Sequence, residues 1–334
     1  MSVIPQRTIF RRPPENLRLE NEDLFRHEYE RNIPPVYAHQ FDSVMVSGPL
    51  PISLSHPYAL LKLSHPWEKR FEAIARALPE AVTGLLRAQE EFSNGLWVTD
   101  QWSRNYFHWI TDSLPRLLLA DTHGFVAPAV IPHFFARSSH IRESLDYLGR
   151  EWIPLESNTA YRLRSLYIFS PLAPTGSPHP DTISGLRESF GVAREETTES
   201  FAQSGEKLWV SRQKSRRRRI TNEEQLETIL RHHDFRIVYP EDLGFQEQVE
   251  LFKRARVVAG LHGAGLTNMV FMAPGATVLE VRRFADAHNN SYFSLANSSG
   301  HRYRYLLAEP GRAARFDDDC LVDPDSLEKE LAEL

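Results

Sequence analysis

The chain has 334 residues, 41% hydrophobic and 25% charged, which suits about two globular domains with ample core. A net charge of −5, from 39 basic and 44 acidic side chains, argues against generic nucleic-acid binding. The single cysteine, Cys320, excludes an internal disulfide framework and a cysteine zinc site, and it suits a reducing compartment.

Residues 1–40 are rich in proline and charge, with Pro13-Pro14 and Pro34-Pro35, and read as an extended arm lying on the body. Their start has charges with no apolar stretch behind them, so a secretory signal is not expected. The apolar run 269–279 is broken by Pro274 and Gly275 and is too short to span a membrane. A cytoplasmic location is the expectation. Arg7, Arg11 and Arg12 form either a solvated face or a peripheral contact at the inner face of the membrane.

Strand-like runs follow at 96–99, 129–131, 165–169, 207–211, 236–239, 257–261, 277–281 and 303–307. Helical patterns lie between them at 66–89, 105–120, 138–148, 182–190, 223–231 and 245–254. Strands separated by single helices predict parallel β-α-β units and a doubly wound α/β fold. The loop 170–181 and the polar segment 193–206 mark the passage from a first α/β domain (41–200) to a second (201–310). Residues 311–334 read as a tail with a terminal helix.

Three segments carry chemistry. In 105–120, Asn105, His108 and Asp112 recur at spacings of three and four and share one helical face. Asp112 is placed to take a proton and His108 to orient or share it. The alternative is a capping Asn105 followed by a satisfied core histidine. In 207–230, a strand ends in Ser211-Arg212, a basic loop follows, and Thr221 with Glu224 predicts a capping box. Arginines at the carboxyl end of a strand suit a diphosphate. A nucleic-acid patch and a merely solvated loop are the rivals.

In 256–281, a buried strand runs into His262-Gly263-Ala264-Gly265 and a short helix, a turn that lets backbone approach a ligand. It matches neither the dinucleotide fingerprint nor a P-loop. The D-x-D within Asp317-Asp318-Asp319 lies in a polar tail, and no metal is assigned to it.

Together the segments resemble glycosyltransferase family 61, which includes a bacterial capsular polysaccharide type. The first motif is carried by Asn105, His108, Trp109, Asp112, Leu114, Pro115 and Arg116. The second is carried by Ser211, Arg212, Arg218, Arg219, Ile220, Asn222 and Glu223. The third runs from His262 to Asn268 and on through Phe271, Pro274, Gly275, Val278 and Glu280.

The resemblance implies a GT-B-type architecture, two Rossmann-like domains facing a cleft. It also implies inverting transfer from a nucleotide-diphosphate sugar, a UDP-sugar, to a glycan or lipid-linked glycan, without a metal or other cofactor. On that reading Asp112 is the base with His108 its partner, or His108 is itself the base, with Asn105, Trp109 and Arg116 on the acceptor side. Trp109 either stacks on a sugar or fills the core. The donor set is Arg212, Arg218, Arg219, Asn222, His262, Gly263, Ala264, Gly265, Leu266, Asn268 and Glu280. Glu280 is expected to bind ribose or sugar hydroxyls, and His262 either bonds an oxygen of the donor or fixes the turn. A non-catalytic nucleotide- or glycan-binding scaffold is the competing class.

Overall fold

The computed structural model describes residues 2–53, 55–65, 70–85, 89–157, 159–192, 205–283, 287–310 and 318–334. Three short strands open the chain: β1 (Ser2–Ile4), β2 (Arg7–Phe10) and β3 (Glu30–Ile33), of which β2 and β3 pair with each other. The chain divides into two compact units. The first is Met1–Arg7 with Ile33–Pro174, and the second is Thr8–Asn32 with Thr175–Leu334.

The first unit is built on β1 and six longer runs: β4 (Val36–Ser47), β5 (Leu50–Ser53), β6 (Gln89–Trp97), β7 (Ala129–Pro132), β8 (Trp152–Leu155) and β9 (Ala160–Phe169). Their order is β1-β4-β9-β6-β7-β8, with β5 on β4. Here the doubly wound parallel expectation needs correction. Strands β9, β6, β7 and β8 are parallel, whereas β4 runs antiparallel to β1, β5 and β9. Only Gly48 and Pro49 separate β4 from β5, and a connection that short permits antiparallel pairing alone. Gly48 sits at φ 56°, which a glycine adopts without steric cost. Phe41, Val44, Trp97, Val130, Leu163 and Ile168 are part of this unit's core.

The helical pattern 66–89 contains the helix Arg70–Leu85, with 66–69 and 86–88 outside the described residues, and a further helix, Pro57–Ser64, precedes it. The segment 193–204, part of the expected interdomain passage, also lies outside them.

The second unit holds β10 (Glu206–Val210), β11 (Phe235–Val238), β12 (Ala255–Leu261), β13 (Thr277–Arg283), β14 (Arg302–Pro310) and β15 (Cys320–Leu321), ordered β11-β10-β12-β13-β14-β15. The first five are mutually parallel, with Val257 opposite Thr277 and Thr277 opposite Arg302; β15 is antiparallel to β14. Residues 8–32 pack here. Phe25 is fully buried against Phe293 and Tyr305, and Arg11 pairs with Glu28 and donates to Ser177.

The expected capping box does not form. Helix Glu223–His232 has Asn222 at its N-cap with no side-chain cap bond, and the Thr221 hydroxyl donates instead to the Cys320 carbonyl (3.1 Å). Cys320 lies beside Ile220 in a parallel bridge, so its carbonyl competes successfully for that hydroxyl.

Candidate active site

In the first unit, Asn105 starts a helix at Tyr106 by accepting from the Phe107 amide (2.9 Å), the capping role open to it from sequence. The helix then widens into a π-turn, Trp109–Ser113, before continuing as Leu114–Thr122. Pro115, just beyond, has no N–H to return to Thr111, so an α-helical bond is missing where the helix widens. Such π-bulges recur at functional sites.

On this stretch His108 Nδ1 meets Asp112 Oδ2 at 2.8 Å, and the Thr111 hydroxyl donates to Asp112 Oδ1 at 3.0 Å. The two side chains keep 16% and 18% of their surface exposed, so the pair is oriented yet reachable.

Sequence reasoning missed Trp102. Its ring stacks on His108 (centroids 6.0 Å, 30° between planes), while Phe107 meets the same imidazole edge-on. The Trp102 amide donates to Asp100 Oδ1 (2.9 Å), and Ser103 Oγ lies 2.8 Å from Ser113 Oγ. Asp100 is in turn gripped by Arg116 (3.0 Å), whose other nitrogen donates to the Val98 carbonyl. Arg116 and Asp100 are both buried, so Arg116 is committed to holding this loop. Trp109 is wholly buried with its indole N–H on Ser144 Oγ (2.8 Å). That burial corrects the sugar-stacking option and leaves the core option.

In the second unit, the carboxyl ends of the neighbouring strands β10 and β12 carry the candidate residues. Past β10, Ser211 Oγ and the Trp209 indole donate to the buried Glu223 carboxylate (2.9 and 2.5 Å). Burial pushes the Glu223 carboxyl up against the opposing pull of these bonds. Arg212 donates to the carbonyls of Arg218 (2.9 Å) and Arg217 (3.3 Å) and to Ser215 Oγ (3.1 Å). Arg218 holds a left-handed backbone, φ 59°, a strained state for a side-chain-bearing residue. Burial foremost, and then the neighbouring Arg218 and Arg283, lower the Arg212 guanidinium against opposing pulls from Tyr292 and Glu241.

The Arg212 guanidinium lies over Gly263: a Cβ there would sit 2.0 Å from Nη1. Gly265 similarly admits Val210, whose Cγ1 would be 2.7 Å from an added Cβ. Past β12, His262 bonds through Nδ1 to Glu280, the Tyr303 hydroxyl donates to the other Glu280 oxygen, and Tyr292 meets the His262 ring edge-on (4.8 Å).

Glu280 is completely buried with both oxygens engaged. Burial alone would raise it, but His262 foremost, then Arg282 and Tyr303, hold the carboxyl below its ordinary range. Its expected ribose contact therefore gives way to fixing the His262 ring.

The other donor-set residues divide. Arg219 pairs through its amide and guanidinium with Asp319 (2.8 and 3.0 Å). Asn222 donates to the Val322 carbonyl and accepts from its amide (2.8 and 3.1 Å). Asn268 is buried and donates to Gln248 (2.9 Å), and Leu266 is buried with its amide returned to Gly263. The polar atoms of Asn222 and Asn268 thus serve the protein itself, whereas the Arg219 side chain keeps 43% of its surface exposed. Ala264 begins the 3₁₀ helix Ala264–Phe271 that follows Gly263.

Among the described residues no group of three His, Cys, Asp or Glu is placed to hold a metal ion, and no helix is long and apolar enough to cross a membrane. Of the acidic triplet, Asp319 serves Arg219, the Asp318 carbonyl accepts from Arg283 (3.0 Å), and Asp317 lies outside the described residues.

A family model described as Glycosyltransferase 61 matches residues 106–279, more than half of the chain. The EGF domain-specific O-linked N-acetylglucosamine transferase of Drosophila melanogaster is 33% identical over 90 residues, 26% of this chain. The match spans 17% of that relative's length.

Proposed function

Because the chain belongs to the glycosyltransferase 61 family, we propose that it moves a sugar from a nucleotide-diphosphate donor, a UDP-sugar, to a hydroxyl of a glycan or lipid-linked glycan. The transfer inverts the anomeric centre and needs no metal. Asp112 takes the proton of the acceptor hydroxyl, whose oxygen attacks C1 of the sugar. The C1–O bond to the diphosphate breaks, and the electron pair leaves on the phosphate oxygen. Arg212 and Arg218, with the amides of Gly263 to Gly265, neutralise that developing charge. His262, fixed by Glu280, bonds a phosphate oxygen.

The observation that carries this reading is the Arg212 guanidinium seated over Gly263 beside the His262–Glu280 pair. A cation so placed, at the carboxyl end of a parallel sheet, is suited to an anionic ligand. Thermal unfolding with UDP tests it. A ligand at 100 times its dissociation constant adds about 2.7 kcal/mol, and this stabilisation should persist in EDTA. The Drosophila relative's name makes UDP-N-acetylglucosamine the first donor to assay for sugar release. A chain that UDP does not stabilise would sink the proposal, and stabilisation without turnover would favour the scaffold.

A further inference from the structure

We infer that Trp102 is the stacking platform for a pyranose ring, a sugar subsite on the first unit that adjoins the His108–Asp112 pair. Calling that sugar the acceptor rests on the transfer reading above; the binding of a pyranose does not.

Four observations lead there. Trp102 keeps 42% of its surface exposed, whereas Trp109, the tryptophan beside His108 in sequence, has none. The backbone that carries the ring is held in place: the Trp102 amide is bonded to Asp100, and the neighbouring Ser103 is within hydrogen-bond distance of both Asp100 and Ser113. Asp100 is anchored by the buried Arg116, so a desolvated ion pair underlies a solvent-facing aromatic side chain. Finally, the indole stacks on His108 at 6.0 Å, and His108 bonds Asp112, so the platform adjoins that pair and keeps its other face for a ligand.

The chemistry follows from the ring. An indole presents a wide face of negative quadrupole, which attracts the weakly positive C–H groups on one side of a pyranose. Because the backbone that carries the ring is fixed before binding, less conformational freedom is lost when a sugar settles on it.

Saturation-transfer NMR on the full chain, with the methyl glycosides of glucose, galactose, mannose, xylose and N-acetylglucosamine as probes, tests the assignment. At least one probe should take up saturation, strongest on the protons of one ring face. Trp102→Ala should weaken its binding tenfold or more, and Trp102→Phe should stay within about threefold of wild type. The melting shift given by UDP should be the same in Trp102→Ala as in wild type. No saturation of any probe in the wild-type chain would overturn the inference, as would full binding by a folded Trp102→Ala variant. Loss of the UDP shift together with sugar binding would overturn it too, because a stacking platform leaves the second unit untouched. Sugar binding that depends on Trp102 in a chain that UDP never stabilises would uphold the platform and sink the transfer reading.

Discussion

Asp112 has two neighbours with different consequences: Thr111 donates to one oxygen and His108 meets the other. Asp112→Asn keeps the size of the side chain and removes its basicity. Turnover should therefore fall by about 10²- to 10⁴-fold while UDP binding stays unchanged. Retention of more than about a third of wild-type turnover would place the base elsewhere. His108→Ala should cost less, since the imidazole orients the carboxylate. In the second unit, Arg212→Ala should weaken UDP binding by roughly 1.5–3 kcal/mol, the worth of a charge-assisted bond. Gly263→Ala should reproduce much of that loss without touching the arginine, because the new methyl takes the place of Nη1; calorimetry on both variants is the check. The sequence motifs pointed at both clusters, yet they did not separate ligand-facing residues from supporting ones. Glu280 and Asn222 are motif residues whose polar atoms serve the protein itself, and only burial and bonding reveal it. Trp102 escaped notice because an exposed tryptophan and a buried one look alike in a string of letters.

At the scale of elements, all eight strand runs read from β-branched and aromatic patches overlap strands, but β6 begins seven residues before the run 96–99 and β9 five before 165–169. Strand β4 was not legible, because Gln40, Asp42 and Ser43 interrupt its alternation, and its turn residues Gly48 and Pro49 were the available signal. The helix after the basic loop begins at Glu223, as its pattern predicts, but Thr221 does not cap it, for a reason no local pattern carries. Its start is tied down by residues from the far end of the chain, through Asn222 to Val322 and Thr221 to Cys320. Asn222→Ala should strip both bonds from Val322 and leave its buried amide and carbonyl unpaired. A stability loss of about 1–3 kcal/mol is expected in denaturant titrations. UDP affinity should drop as well, since the arginine loop is anchored by the same residues. An unchanged denaturation midpoint would show that the tie carries no load.

Across the whole molecule, both units conceal histidines that resist protonation. Burial lowers His65 and His140 of the first unit to about 4 each, against small opposing pulls from Asp100 and Glu143. In the second unit, burial and then Arg187 lower His301 to about 3. Its Nε2 lies 2.8 Å from the Met269 carbonyl. Each folded value is below the ordinary histidine value of 6.5. Between the two values the unfolded chain binds a proton that the native chain refuses, so stability falls as pH drops from about 6.5 toward 4. Each such group contributes at most about 1.4 kcal/mol per pH unit in that window. Calorimetric melts between pH 7 and 4.5 should show a falling midpoint, and His301→Gln should flatten the fall. An acid-insensitive midpoint would mean that these rings are charged in the native chain.

The tie between the arginine loop and residues 318–322 also has a meaning in time. Arg219 bonds Asp319, and Asn222 bonds Val322, each partner lying one hundred positions further along the chain. A ribosome adding about 5–20 residues per second needs on the order of 5–20 s to cover that distance. During that interval β10 and the loop have been made, but the strand that fastens them has not. The nascent second unit can assemble its parallel strands β10 to β14 while its arginine loop stays unfastened, so the loop is completed after the sheet that carries it.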